Sequence, residues 1–169
     1  MKRNISHLST ADKLRELAVV LEKVQPENFN MGAWGYCEDE LTLDVLTSVP
    51  VMDCGTAACA AGAAACAFEG LDLIRTGAGD WDIRAEGPNG PDWCIFGFEA
   101  ASVFFGISRE DAHNLFAPGC YDCEPLGSRG IKRERVIGRL LEMAQKYEDQ
   151  ASGAETHCSA SPSDRGPAA

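Results

Sequence analysis

Apolar positions recur at helical spacing at both ends of the chain. Leu14, Leu17, Leu21 and Val24, with Ala18 alongside, fall on one face and predict a helix over 11–24. Ser9 and Thr10 are suited to cap it, and Gln25-Pro26 ends it, because proline disfavours helix in the residue before it. Val136, Ile137, Leu140, Leu141, Ala144 and Tyr147 form a second arc, with Lys132, Arg135, Arg139, Glu142 and Lys146 opposite. That pattern predicts an amphipathic helix from about 128 to about 148. Between them, Phe98–Phe105 reads as a short helix ended at Gly106. Ser108 opens another, with Asp111 at the capping-box position, a face of Ala112, Leu115 and Phe116, and a stop at Pro118.

Residues 54–68, CGTAACAAGAAACAF, break this periodicity because they are apolar on every side. Alanine has the highest intrinsic helix propensity, and a helix without a polar face must be covered all round. Asp53 suits an N-cap and Gly70 a stop. Gly55–Phe68 would then be roughly 21 Å long, short of the about 20 apolar residues a bilayer needs. A buried central helix follows, with Cys59, Gly62 and Cys66 on one side.

The remaining stretches carry weaker patterns. Phe29, Met31 and Trp34 read as an irregular segment docking on the core, and 37–53 as an acidic loop with one helical turn. In 71–97, glycines and prolines interrupt Trp81, Ile83 and Trp93, and Asp82–Ala85 alternates, which predicts an irregular or β-hairpin insert. From 150 onward small and polar residues predict a disordered tail. The expected fold is therefore mostly α: a single domain over 1–149, with about five helices packed around the Ala/Cys-rich rod. Trp34, Cys59, Gly62, Cys66, Phe104, Leu115, Phe116 and Leu140 are its expected core.

Charge changes this picture more than composition does. The 169 residues carry a net charge of −11, and 45% of them are apolar, enough for a core. Residues 37–124 hold 16 acidic and 3 basic side chains, or −13, and the flanks are near neutral. That balance argues against direct nucleic-acid binding, which needs Lys and Arg for phosphates. It suits a basic protein partner. No basic segment followed by an apolar run opens the sequence, so a cytoplasmic location is expected, with eight cysteines as thiols or metal ligands.

Candidate chemistry is sparse. Cys54, at the expected start of the central helix, could be a nucleophile, since a helix N-terminus favours thiolate. His113 is the one histidine away from the chain ends that could serve as its base. Cys120-Tyr121-Asp122-Cys123 is a C-x-x-C that could hold zinc if two more ligands converged on it, with Cys94, Cys37 and His113 available in number. Asp80, Asp82, Glu86 and Asp92, with Trp81 and Trp93, could form an acidic binding surface, but they lack the EF-hand spacing for calcium. No phosphate-binding glycine loop, nucleophile elbow or zinc-protease motif occurs. A non-enzymatic interaction module is the favoured expectation. The alternatives are a Cys54–His113 enzyme and a domain stabilised by zinc at Cys120 and Cys123.

Three features together resemble a group of small bacterial and phage-encoded proteins with a C-G-T-x-x-C-x-A-G motif. They are Phe29-Asn30-Met31 with Trp34, CGTAACAAG at 54–62, and FFGIS at 104–108 followed by Ala112, Leu115 and Phe116. The resemblance spans about residues 11–148. It implies a compact helical domain often encoded on mobile elements, and it transfers no catalytic role.

Overall fold

Helix α1 (Thr10–Lys23) starts at Ser9, whose Oγ accepts from the Asp12 N–H at 3.1 Å and donates to the Asp12 carboxylate at 2.7 Å. Its stripe of Leu14, Leu17, Ala18 and Leu21 is buried, as is Val24 just beyond its end. This is a computed structural model, and it describes residues 1–31, 36–37, 56–57, 59–75, 81–87, 90–121 and 131–157.

The architecture is mixed α/β, which corrects the expected helical bundle. Among the described residues, five helices accompany a three-stranded antiparallel sheet. The central rod is shorter than its composition predicts. Strands β1 (Tyr36–Cys37) and β2 (Thr56–Ala57) pair antiparallel, so the chain is extended at Thr56–Ala57, where a helix was expected. Helix α2 covers only Ala60–Ala67. Its N-cap is Cys59, not Asp53, which lies outside the described residues. The cause is partner choice: a ladder formed with a distant segment outweighs local alanine propensity.

Downstream, Gly70 adopts a left-handed φ of 86° and turns the chain from α2 into β3 (Leu71–Arg75). Strands β4 (Trp81–Gly87) and β5 (Gly90–Phe96) complete the sheet in the order β3-β4-β5. The alternation at Asp82–Ala85 is thus one strand of three, not a small insert. Leu71 lies across from Ala85, Leu73 from Ile83, and Ala85 from Ile95, and all five are buried. Helices α2 and α3 (Gly97–Phe105) pack on this sheet. A pleated sheet that buries this face under helices needs this period-2 pattern.

Helix α4 (Arg109–Phe116) begins at Ser108, whose Oγ accepts from the Asp111 N–H at 3.0 Å. The last helix, α5 (Arg133–His157), runs past the expected end near 148, and residues 158–169 lie outside the described part. It packs antiparallel to α1. Arg15 meets Glu148 at 2.5 Å near one end. At the other, the Arg133 guanidinium donates to the carbonyls of Glu22 and Val24, which α1 leaves without helical partners. Val136, Leu140 and Ala144 fill the seam, whereas Leu141 is 47% exposed and stands outside the buried part of the arc.

Candidate functional site

The expected core residues within the described part sort by depth. Cys59, Gly62, Leu115, Phe116 and Leu140 are buried, while Cys66 and Phe104 are half-buried against the same core. Trp34 lies outside the described residues. Cys59 Sγ accepts from the Gly62 N–H at 3.5 Å, and burial pushes its thiol up to about 11. Burial also raises the Cys66 thiol, opposed in part by Lys2. Neither cysteine can readily supply a thiolate near neutral pH.

The Cys54–His113 pairing lies outside the described residues, because Cys54 does. His113 sits in the last turn of α4, exposed, with the Phe98 ring edge-on at 5.1 Å. Its Nδ1 is 3.4 Å from Cys120 Sγ. Cys120 ends the 3₁₀ turn Pro118–Cys120, in which its N–H donates to Ala117 O at 3.1 Å. Tyr121 anchors that turn: its hydroxyl donates to Leu115 O at 2.7 Å and its ring is 1% exposed. Arg139 stacks over the same ring at 4.0 Å. Burial pushes the Tyr121 phenol up to about 12, against the opposing pull of Arg139 and Arg135. Beside Cys120 opens a cleft of about 320 Å³ lined by Asn114, Arg139, Glu142, Met143 and Lys146.

Next to this corner, Asp111 is 7% exposed and accepts from Lys146 Nζ at 2.7 and 2.9 Å and from the Tyr147 hydroxyl at 2.8 Å. Tyr147 Oη in turn accepts from the Ser108 N–H at 2.8 Å. Burial alone would raise the Asp111 carboxyl. The bonds from Lys146, Tyr147 and Ser108 outweigh burial and hold it below the ordinary carboxylate range. This network clamps α4 onto α5, so Asp111 has a structural partner as well as a capping position.

Of the residues named for the zinc alternative, the described part brings His113 next to Cys120, and Cys123 lies outside it. Cys94 is exposed on β5, and the Cys37 side chain is not described. No group of three metal-ligating side chains occurs among the described residues. Cys59, Cys66 and Cys120 are free thiols among the described residues.

The expected acidic surface is only partly described. Asp80 lies outside, and Trp81, Asp92 and Trp93 are placed by their strand backbone alone. On the sheet face opposite Ile83 and Ala85, Asp82 is half-buried and accepts from its own neighbour, the Ile83 N–H, at 2.8 Å. Glu86 is exposed opposite Cys94. Among the described residues no cation pairs with either carboxylate. Phe96, across from Arg84, is 47% exposed on that face. Arg84 is bound to Asp72 at 3.1 Å, and Lys2 reaches the same carboxylate at 3.0 Å. Burial raises Asp72, but the bonds from Lys2 and Arg84 prevail and hold it low.

Sequence reasoning missed three pairings: His113 with Cys120, Asp111 with Lys146 and Tyr147, and Asp72 with Lys2 and Arg84. The first had a faint signal, a histidine one helical turn before a Pro-Gly that doubles the chain back. The other two join distant segments and left no local trace. No helix among the described residues is long and apolar enough to cross a membrane. Comparison with protein families, curated proteins and solved structures finds no match.

Proposed function

We propose that the protein is a non-enzymatic interaction module in which the sheet face carrying Asp82, Glu86 and Phe96 receives a basic, apolar-anchored segment of a partner protein. One observation carries this reading: an exposed aromatic, Phe96, shares a sheet face with two carboxylates, Asp82 and Glu86, that have no cationic partner among the described residues. An apolar anchor with a charged rim is the usual layout of a protein-binding patch. The excess of acid over 37–124 in the sequence suits a basic partner and disfavours a nucleic-acid ligand. The resemblance to phage-encoded proteins suits an accessory protein of a mobile element, acting in the cytoplasm by occupying a basic surface of a host protein.

Titration of Lys/Arg-rich peptides carrying one aromatic or aliphatic anchor tests the reading. Binding should weaken as salt rises and be lost in Asp82→Lys/Glu86→Lys and in Phe96→Asp. Equal binding by wild type and both variants would overturn it.

A further inference from the structure

Cys120 has both a proton acceptor and open space beside its sulfur. Its Sγ lies 3.4 Å from His113 Nδ1, hydrogen-bond distance for a thiol donating to an imidazole lone pair. Neighbours hold both groups in place. The Phe98 ring packs edge-on against the imidazole at 5.1 Å. The Cys120 N–H is bound to Ala117 O, and the next residue, Tyr121, is plugged into the core with its hydroxyl on Leu115 O. The cleft of about 320 Å³ is bordered by this half-buried thiol and walled by Arg139, Met143 and Lys146 of α5. A nucleophile needs a base within hydrogen-bond reach and room for what it attacks, and Cys120 has both. Cys59, at 2% exposure, has no such room.

We propose that Cys120 is a thiol–disulfide exchange site, where the chain takes up one half of a small disulfide in reversible covalent linkage. His113, in the tautomer with its hydrogen on Nε2, accepts the Cys120 proton at Nδ1. The thiolate attacks one sulfur of a disulfide lying in the cleft. A bond forms between Cys120 Sγ and that sulfur, the original S–S bond breaks, and the departing thiolate takes the proton from His113. One thiol and one disulfide enter, and one thiol and one mixed disulfide result, so no further oxidant is needed. Excess reducing thiol runs the step backwards. The cleft suits a low-molecular-weight disulfide, because its volume is at the small end of small-molecule sites. This site goes beyond the interaction reading and is independent of it, since neither His113 nor Cys120 belongs to the sheet face.

The probe is oxidised glutathione, added near neutral pH to the reduced full-length chain and to a synthetic peptide, FAPGCYD, that repeats residues 116–122 without the histidine. Both are quenched in acid, alkylated and read by peptide mass at Cys120. The folded chain should lose its free Cys120 thiol about 10-fold faster than the peptide, or more, since a positioned base contributes at least that much. His113→Gln should lose more than half of that excess, because it keeps the cleft and the thiol but removes the base. His113 is exposed, so the variant should fold, as circular dichroism will check. Unfolding the unmutated chain in urea should slow Cys120 to the peptide's rate, which tests the site without any substitution. Dithiothreitol should return the free thiol each time. A smaller excess over the peptide in wild type would overturn the proposal, leaving the 3.4 Å contact as a plain S–H···N hydrogen bond. Retention of half the excess or more in His113→Gln, or an unchanged rate on unfolding, would overturn it equally.

Discussion

Two cysteines at helix ends meet opposite surroundings. Cys59 opens α2, where every flanking residue is small and apolar, and its sulfur serves as a cap. Cys120 follows α4, where a histidine, two arginines, a lysine and a buried aspartate crowd the α4–α5 corner. A helix N-terminus by itself favours thiolate, yet at Cys59 the cost of desolvating a charge exceeds that gain, and the thiol rises to about 11. Position on a helix therefore says less about a cysteine than the polarity of what surrounds it. The α2 region is held by close packing and the α4–α5 corner by paired charges, so different perturbations should break them.

The widest separation should appear in thiol labelling. At neutral pH the upward shift from 9.0 to about 11 leaves Cys59 about 100-fold poorer in thiolate than an ordinary cysteine, before burial is counted. With ordinary exposed thiols as reference, a disulfide reagent should modify Cys59 more than about 100-fold slower, read by peptide mass. Labelling of Cys59 as fast as that reference would mean that the α2 region opens freely.

Packing should give way next. Ala64 is fully buried, and Ala64→Leu should cost about 1–3 kcal/mol or more in urea denaturation, because α2 has no room for added methylenes. Asp111→Ala should cost about 1–2 kcal/mol, at the low end for a buried hydrogen-bonded carboxylate because Lys146 and Tyr147 can turn to water. Its pH dependence follows from its depressed carboxyl. The stabilisation is complete above the ordinary value of 3.8 and is lost as pH falls through and below it. Acid titration of stability should be shallower in Asp111→Ala than in wild type.

Gly106→Ala should have an effect of the same size as Asp111→Ala, about 1–2 kcal/mol in the same assay. It combines a left-handed φ of 72° with a Thr10 hydroxyl 2.8 Å from the new Cβ, and Thr10 can rotate away. A loss well above that range would place α1 and α3 in a tighter joint than this contact implies.

The elements legible from sequence were those with self-contained patterns. Ser9 with Leu14, Leu17 and Leu21 announces α1, and Ser108 with Leu115 and Phe116 announces α4, because cap and stripe lie within a few residues of each other. The sheet was illegible as a sheet. Gly77, Gly79, Pro88 and Pro91 interrupt it, and its pairing of Leu73 with Ile83 and of Ala85 with Ile95 becomes visible only once the strands meet. The Ala-rich run misled in the other direction. Local propensity predicts helix from Gly55, but Thr56–Ala57 pairs with Tyr36–Cys37, and no window of neighbouring residues contains that partner. At the candidate site, Cys120 and His113 were each singled out, but their contact was not, because it depends on how the chain turns after Phe116.

The antiparallel seam of α1 and α5 has a consequence for how the protein is made. Of the described helices, α1 leaves the ribosome first and α5 last, so Leu14, Leu17 and Leu21 emerge well before the surface that finally shields them. Until Arg133 reaches the end of α1, the nascent chain displays an oily ridge suited to a chaperone's grip. A synthesis pause ahead of codon 133 should therefore lower soluble yield more than the same pause after codon 150.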